Sequence, residues 1–193
     1  MIQTGTLTES ARDSFEALRG ALDGHKSLVV AFSGGVDSSL LAFVAHELLG
    51  DRMLAVFAVS ASLAGSEKDD GVVFLEEHAI PYEVITTDEV ENEAYAANNP
   101  DRCYHCKAEL FGKLVDLARA RGFESVAHGA NSDDLSDYRP GTRAAEEKDV
   151  VAPFVSAGMG KRDIRDLARA LGLHLWDKPA SPCLASRLSL IHI

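Results

Sequence analysis

Reactive side chains in this 193-residue chain gather in three places. The first is the string SGGVDSS, Ser33 to Ser39, which follows a short apolar run and precedes a helical apolar pattern. Gly34 and Gly35 let the backbone approach a ligand closely and turn successive N–H groups toward it. The helix that follows adds the positive end of its dipole, and Ser33, Ser38 and Ser39 add hydroxyl donors. Such a turn suits an anion with several oxygens, and the reading is a phosphate cradle. The competing reading is a glycine-tightened turn capped by Asp37. Neither the G-x-x-x-x-G-K-[ST] spacing nor G-x-G-x-x-G is present, so the cradle belongs to neither of those nucleotide-binding types.

The second place is Cys103-x-x-Cys106, with Cys183 far along the chain. Two thiolates so spaced can share one metal, and a third would complete a three-cysteine set with an open position. Arg102, Lys107 and the start of the following helix favour thiolate at Cys103 and Cys106. Three structural thiols, or a zinc site completed by His105, are the alternatives. The third place is the polar run after Gly129. Asp133 and Asp134 are hard oxygen ligands suited to Mg²⁺, and Asn131 can hydrogen-bond a nucleotide. Arg139 is a candidate clamp on a substrate carboxylate or phosphate. Asx turns and helix caps use the same residue types and remain open here.

The elements that must position these groups are legible as an alternation. Ala11, Phe15, Leu18 and Leu22 recur at helical spacing, with Gly24 as the stop. Strands are predicted at 27–32, 53–59, 82–86 and in the string SVAHGAN from Ser125. Helices are predicted at 37–49 and 66–79, through Leu110, Leu114, Leu117 and Ala118 to Gly122, and through Ile164, Leu167, Ala168 and Leu171. Alternating strands and helices imply an α/β fold: a doubly wound parallel sheet with helices on both faces and ligands beyond the carboxyl ends of its strands. Two polar segments, 86–106 and 128–149, read as long functional insertions at strand ends. Trp176 reads as a packing anchor.

Bulk properties narrow the classes. With 19 basic and 30 acidic residues the net charge is −11, which argues against a nucleic-acid surface. The opening residues carry no basic, apolar leader, and no apolar run is long enough to span a bilayer, so the reading is cytoplasmic, with no membrane partner. Three cysteines, an odd number in a reducing compartment, fit ligands or reactive thiols better than a disulfide framework.

SGGVDSS resembles the PP-loop of the ATP pyrophosphatases, whose fold is the adenine nucleotide alpha hydrolase-like one. With NPDRCYHCK (Asn99–Lys107), GANSDDLSDYRPG (Gly129–Gly141) and WDKPASPCLASR (Trp176–Arg187), in that order, the chain is similar to the LarE-type sulfurtransferases. That resemblance implies ATP cleaved between its α and β phosphates with Mg²⁺. Pyrophosphate would be held by Ser33, Gly34, Gly35, Asp37, Ser38 and Ser39, and the nucleotide by Gly129, Asn131 and Arg139. It implies sulfur transfer to the adenylated carboxylates of a pyridinium mononucleotide, in biosynthesis of the nickel-pincer nucleotide cofactor. Members with all three cysteines bind a [4Fe–4S] cluster, so Cys103, Cys106 and Cys183 are the expected ligands. Members with one use the cysteine at the place of Cys183 as a sacrificial sulfur donor. Arg187 is expected near a substrate phosphate. The resemblance divides the chain into a PP-loop domain, 1–172, and the start of a C-terminally truncated second domain, 173–193. The full-length parent is expected to be a homo-oligomer. A tRNA thiolase of the same superfamily and a non-catalytic nucleotide- or metal-binding fragment are the alternative functions.

Overall fold

The computed structural model describes residues 5, 7–60, 65–97, 99–136 and 140–179. Its centre is a parallel sheet of four strands: β1 (Leu28–Phe32), β2 (Met53–Val59), β3 (Tyr82–Thr86) and β4 (Ser125–Ala127), in the order β3-β2-β1-β4. The helices are α1 (Glu9–Leu22), α2 (Val36–Leu49), α3 (Gly65–Glu77), α4 (Glu93–Ala96), α5 (Arg102–Arg121), α6 (Pro140–Glu146), α7 (Pro153–Ser156) and α8 (Lys161–Ala170). The α/β class and the parallel sheet are as predicted. β2 and β3 match their predicted ranges residue for residue.

All five residues of β1 are buried, because helices cover both faces. Alternation then sorts its side chains. Leu28, Val30 and Phe32 enter one core with Phe57 of β2, Leu18 of α1, Leu41 of α2, Phe74 of α3 and Leu167 of α8. Val29 and Ala31 enter the other, with Val56, Phe111 and Leu114 of α5 and Ala144 of α6. The first core continues past α8 through Leu173 and Leu175, with Trp176 packed against it as an anchor. An Arg169 guanidinium lies 4.8 Å over the Trp176 ring.

The predicted insertions are not wholly loop. α5 begins at Arg102, well before its apolar period, so both Cys103 and Cys106 lie on a helix. α6 occupies the end of the second polar segment and packs along α5. Because the chain runs outward from β1 to β3 and returns to β4, the direction reverses between β1 and β4. That is where an open α/β sheet places its ligand crevice. No helix among the described residues is long and apolar enough to cross a membrane.

Candidate functional site

The cradle forms where β1 meets α2. Gly34 has φ 72°, in the left-handed region that favours glycine, and this turns the chain back over the strand end. Gly35 is the N-cap of α2 and supplies no side-chain cap, so the helix opens with its N–H groups unclaimed by a capping oxygen. The turn is braced from inside. Ser38 Oγ accepts from the Ser33 N–H at 3.1 Å, donates to the Gly35 carbonyl at 3.1 Å and lies 3.1 Å from Ser33 Oγ. Ser39 is fully buried, and its hydroxyl has no hydrogen-bond partner among the described residues.

The loop after β4 closes the other side. Gly129 passes so near α2 that a Cβ there would sit 3.0 Å from the Ser38 nitrogen and 3.2 Å from the Asp37 carbonyl carbon. Asn131, 3% exposed, accepts from the Asp133 N–H through Oδ1 at 3.1 Å and donates through Nδ2 to Asp37 Oδ2 at 3.4 Å. Asp134 Oδ2 accepts from the Asn131 N–H at 3.1 Å. Asp133 Oδ2 accepts from the Lys161 N–H at 2.8 Å, at the start of α8. Each aspartate thus gives one oxygen to the backbone, as in the Asx-turn and capping alternative, while the loop as a whole is drawn to Asp37.

Two lysines complete the cradle. Lys161 Nζ pairs with Asp37 Oδ1 at 2.6 Å. Lys178 Nζ donates to the Gly34 carbonyl at 3.2 Å. Sequence reasoning missed Lys161. The signal was present, since a lysine in the first turn of a helix opposes the dipole and needs another reason to be there.

The C-x-x-C lies on the first two turns of α5, where positions three apart share a face. Cys103 is exposed and Cys106 half-buried, and neither is in a disulfide. This turn is clamped to α6: Tyr104 Oη donates to Glu147 at 2.6 Å, and the Arg143 guanidinium lies 4.0 Å over the Tyr104 ring. His105 faces Asp101 at 3.5 Å, one turn back. Lys107 Nζ lies 5.5 Å over the Phe111 ring, whose other neighbour, 5.3 Å away, is His128 at the end of β4. Burial, and then the Lys107 charge, push the His128 pKa down to about 4, so its imidazole is neutral near pH 7.

Through Lys107 and Phe111 the second turn of α5 leads to His128, and Gly129, the next residue, approaches the turn between β1 and α2. Ser33, Gly34, Gly35, Asp37, Ser38, Gly129 and Asn131 come together, with Asp133 and Asp134 in the adjoining turn. Arg139, Cys183 and Arg187 lie outside the described residues. No group of three or more His, Cys, Asp or Glu among the described residues is arranged to hold a metal.

The NAD synthase family model matches residues 14–135. The chain is 42% identical over 181 residues to an uncharacterised protein of Synechocystis, covering 94% of this chain and 66% of that one. It is 35% identical over 171 residues to the pyridinium-3,5-bisthiocarboxylic acid mononucleotide synthase of Lactiplantibacillus plantarum, covering 88% and 62%. The chain thus spans just under two thirds of the length of these two relatives. The NMN synthetase of Francisella tularensis has the same fold: TM-score 0.66, with 16% identity, covering 90% of this chain and 76% of that one.

Proposed function

From the premise that this chain belongs to the NAD synthase family, of the PP-loop type, we propose that it takes part in ATP-dependent sulfur transfer to a pyridinium mononucleotide. The observation that carries the proposal is the glycine–serine turn between β1 and α2, closed by the loop after β4 and by Lys161 and Lys178, in a chain similar to the Lactiplantibacillus synthase.

The reaction balances as two displacements. A substrate carboxylate oxygen attacks the α phosphorus of ATP, the bond to the bridging oxygen breaks, and pyrophosphate leaves with the electron pair. Sulfide then attacks the acyl carbon, a C–S bond forms, the C–O bond breaks, and AMP departs. The carboxylate is activated this way because oxide is a poor leaving group and adenylate a good one.

The turn of Ser33, Gly34, Gly35, Asp37 and Ser38 would hold the departing pyrophosphate through backbone N–H groups aimed before the charge develops, with the Ser38 hydroxyl bracing the turn. Mg²⁺ is commonly held by one or two carboxylates together with substrate phosphates, and Asp37, Asp133 and Asp134 are the hard oxygen donors here that could take that part and so neutralise pyrophosphate charge. Cys103 and Cys106 share one face of α5 and fit an iron–sulfur centre on the chemistry of their donors, with Cys183 as the proposed third ligand. A [4Fe–4S] cluster there would supply the sulfide from the iron that lacks a protein ligand. Neutral His128 beside Lys107 would leave the lysine as the cation facing a substrate carboxylate. Arg139 and Arg187 are proposed contacts to substrate carboxylate or phosphate.

The test is anaerobic incubation with the biscarboxylate mononucleotide, MgATP and sulfide. AMP and pyrophosphate should appear in equal amounts only when the mononucleotide is present, together with a thiocarboxylate product detected by mass. Pyrophosphate release indifferent to the mononucleotide would overturn the substrate assignment. Metal analysis should find about four irons per chain, lost in Cys103→Ala. Protein that resists reconstitution with iron and sulfide would sink the cluster and leave Cys183 as the donor.

A further inference from the structure

Lys178 has no part in the reaction described above, yet it is held more deliberately than a surface lysine. Its backbone is fixed at both ends: its N–H donates to the Leu175 carbonyl at 3.0 Å, and its carbonyl accepts from Arg165 Nη2 at 3.0 Å. Leu175 is buried in the core beneath it, and Trp176 is covered by the Arg169 guanidinium. From this base the side chain, 23% exposed, crosses to the turn after β1 and ends on the Gly34 carbonyl. Ordering a long lysine stem costs rotamer entropy. One hydrogen bond to a neutral carbonyl is a small return on that.

The surroundings leave the ammonium under-used. It has three N–H donors. One goes to Gly34. Among the described residues its acidic partner is Asp70 of α3, 3.8 Å away and beyond hydrogen-bond distance, with a side chain 69% exposed, so water screens the attraction. Lys161, the other lysine of the cradle, is in a different condition. Its charge is matched by Asp37 at 2.6 Å. Among the described residues, Lys161 has a carboxylate at hydrogen-bond distance and Lys178 has only the longer, exposed pair with Asp70.

Resting on the reading of SGGVDSS as an anion cradle, we propose that Lys178 is a pyrophosphate-binding residue. Its ammonium, seated on the Gly34 carbonyl, directs its remaining donors to the non-bridging oxygens of the anion. Asp70 opposes this by holding the ammonium toward α3. By fixing the Gly34 carbonyl on one side of a planar trans peptide, Lys178 also sets the Gly35 N–H to the opposite side.

The two partners then have opposite effects, which no structural ion pair would produce. The probe is inorganic pyrophosphate with Mg²⁺, titrated calorimetrically into the 193-residue chain and its variants, with thermal unfolding alongside. Lys178→Met is expected to bind pyrophosphate about tenfold or more weakly, and Lys178→Arg to stay close to wild type. Asp70→Asn is expected to bind several-fold more tightly. Equal affinity in wild type and Lys178→Met overturns the proposal. Should Lys178→Met fail to fold, Asp70→Asn carries the test alone, and an affinity unchanged or weakened there overturns it. Wild-type protein that binds no pyrophosphate removes the cradle reading itself, a failure distinct from an intact cradle indifferent to Lys178.

Discussion

Gly129→Ala is the sharpest probe of how closely the two loops of the site are fitted. The added methyl would lie 3.0 Å from the Ser38 nitrogen and 3.2 Å from both the carbonyl carbon and Cβ of Asp37. Ordinary contacts of this kind settle at about 3.5–4.0 Å. Two of the three atoms are backbone in the first turn of α2, so no rotamer change relieves the clash. The loop is equally constrained: β4 is paired to β1, and the His128 N–H donates to the Val151 carbonyl at 3.0 Å. The strain must be met by separating the two loops, at a cost of about 1–3 kcal/mol. For a chain of this size that is roughly 2–4 °C of Tm per kcal/mol. Separation also breaks the Asn131–Asp37 hydrogen bond, which at 3.4 Å is already near its limit. Pyrophosphate affinity should therefore fall along with Tm, by calorimetry and circular dichroism respectively. Gly112→Ala is the control, since a Cβ there meets nothing within 4 Å and lies inside α5. It should stabilise by about 0.5–1 kcal/mol and leave binding alone. A Gly129→Ala protein matching wild type in both measurements would refute the claim that the loops are in contact.

Lys161→Met removes the cation paired with Asp37 and should lower substrate-dependent pyrophosphate release about ten- to hundredfold, the worth of a charge-assisted hydrogen bond. Activity within twofold of wild type in a steady-state assay would remove Lys161 from the site. Because the His128 pKa is depressed to about 4, the unfolded chain binds more protons than the folded one below about pH 6.5. Stability should be complete above that pH and decline as pH falls through 4, by up to about 3 kcal/mol. Urea denaturation should show His128→Asn flattening this acid limb, and an unchanged slope would contradict the assignment. Tyr104→Phe keeps the ring under Arg143 but loses the exposed bond to Glu147, so Tm should move by no more than about 1 kcal/mol equivalent. Iron content in that variant reports whether the clamp positions the cysteine turn.

What the sequence discloses follows from where burial writes a pattern. β1 is buried throughout and β2 in large part, so both appear as unbroken apolar runs, and Gly50 and Gly122 mark the ends of α2 and α5. The first turns of α5 carry no such mark. Before Phe111 the core-facing side of α5 carries only Tyr104, Ala108 and Leu110, partly buried and set among Cys103, His105, Lys107 and Glu109, so the start of α5 reads as loop. α6 is short and shows only Ala144 and Ala145 to the core. Cradle residues are legible because glycines and serines at fixed spacing serve a local turn. Lys161 and Lys178 reach it across 124 and 144 positions, and a contact at that range is decided by how α8 packs on α1 and α2 rather than by neighbouring residues.

That separation has a consequence for the protein as it is made. SGGVDSS leaves the ribosome early, but the two lysines beside it come from the last two tenths of the chain, long after it. At roughly 5–20 residues per second, Lys178 follows Gly34 by about 7–30 s. Until Lys161 is made the nascent chain carries the turn without either cation, and for most of that time without the β4 loop. An anion-binding turn of this kind would thus gain its cations only once α8 and the segment after it pack against α1 and α2.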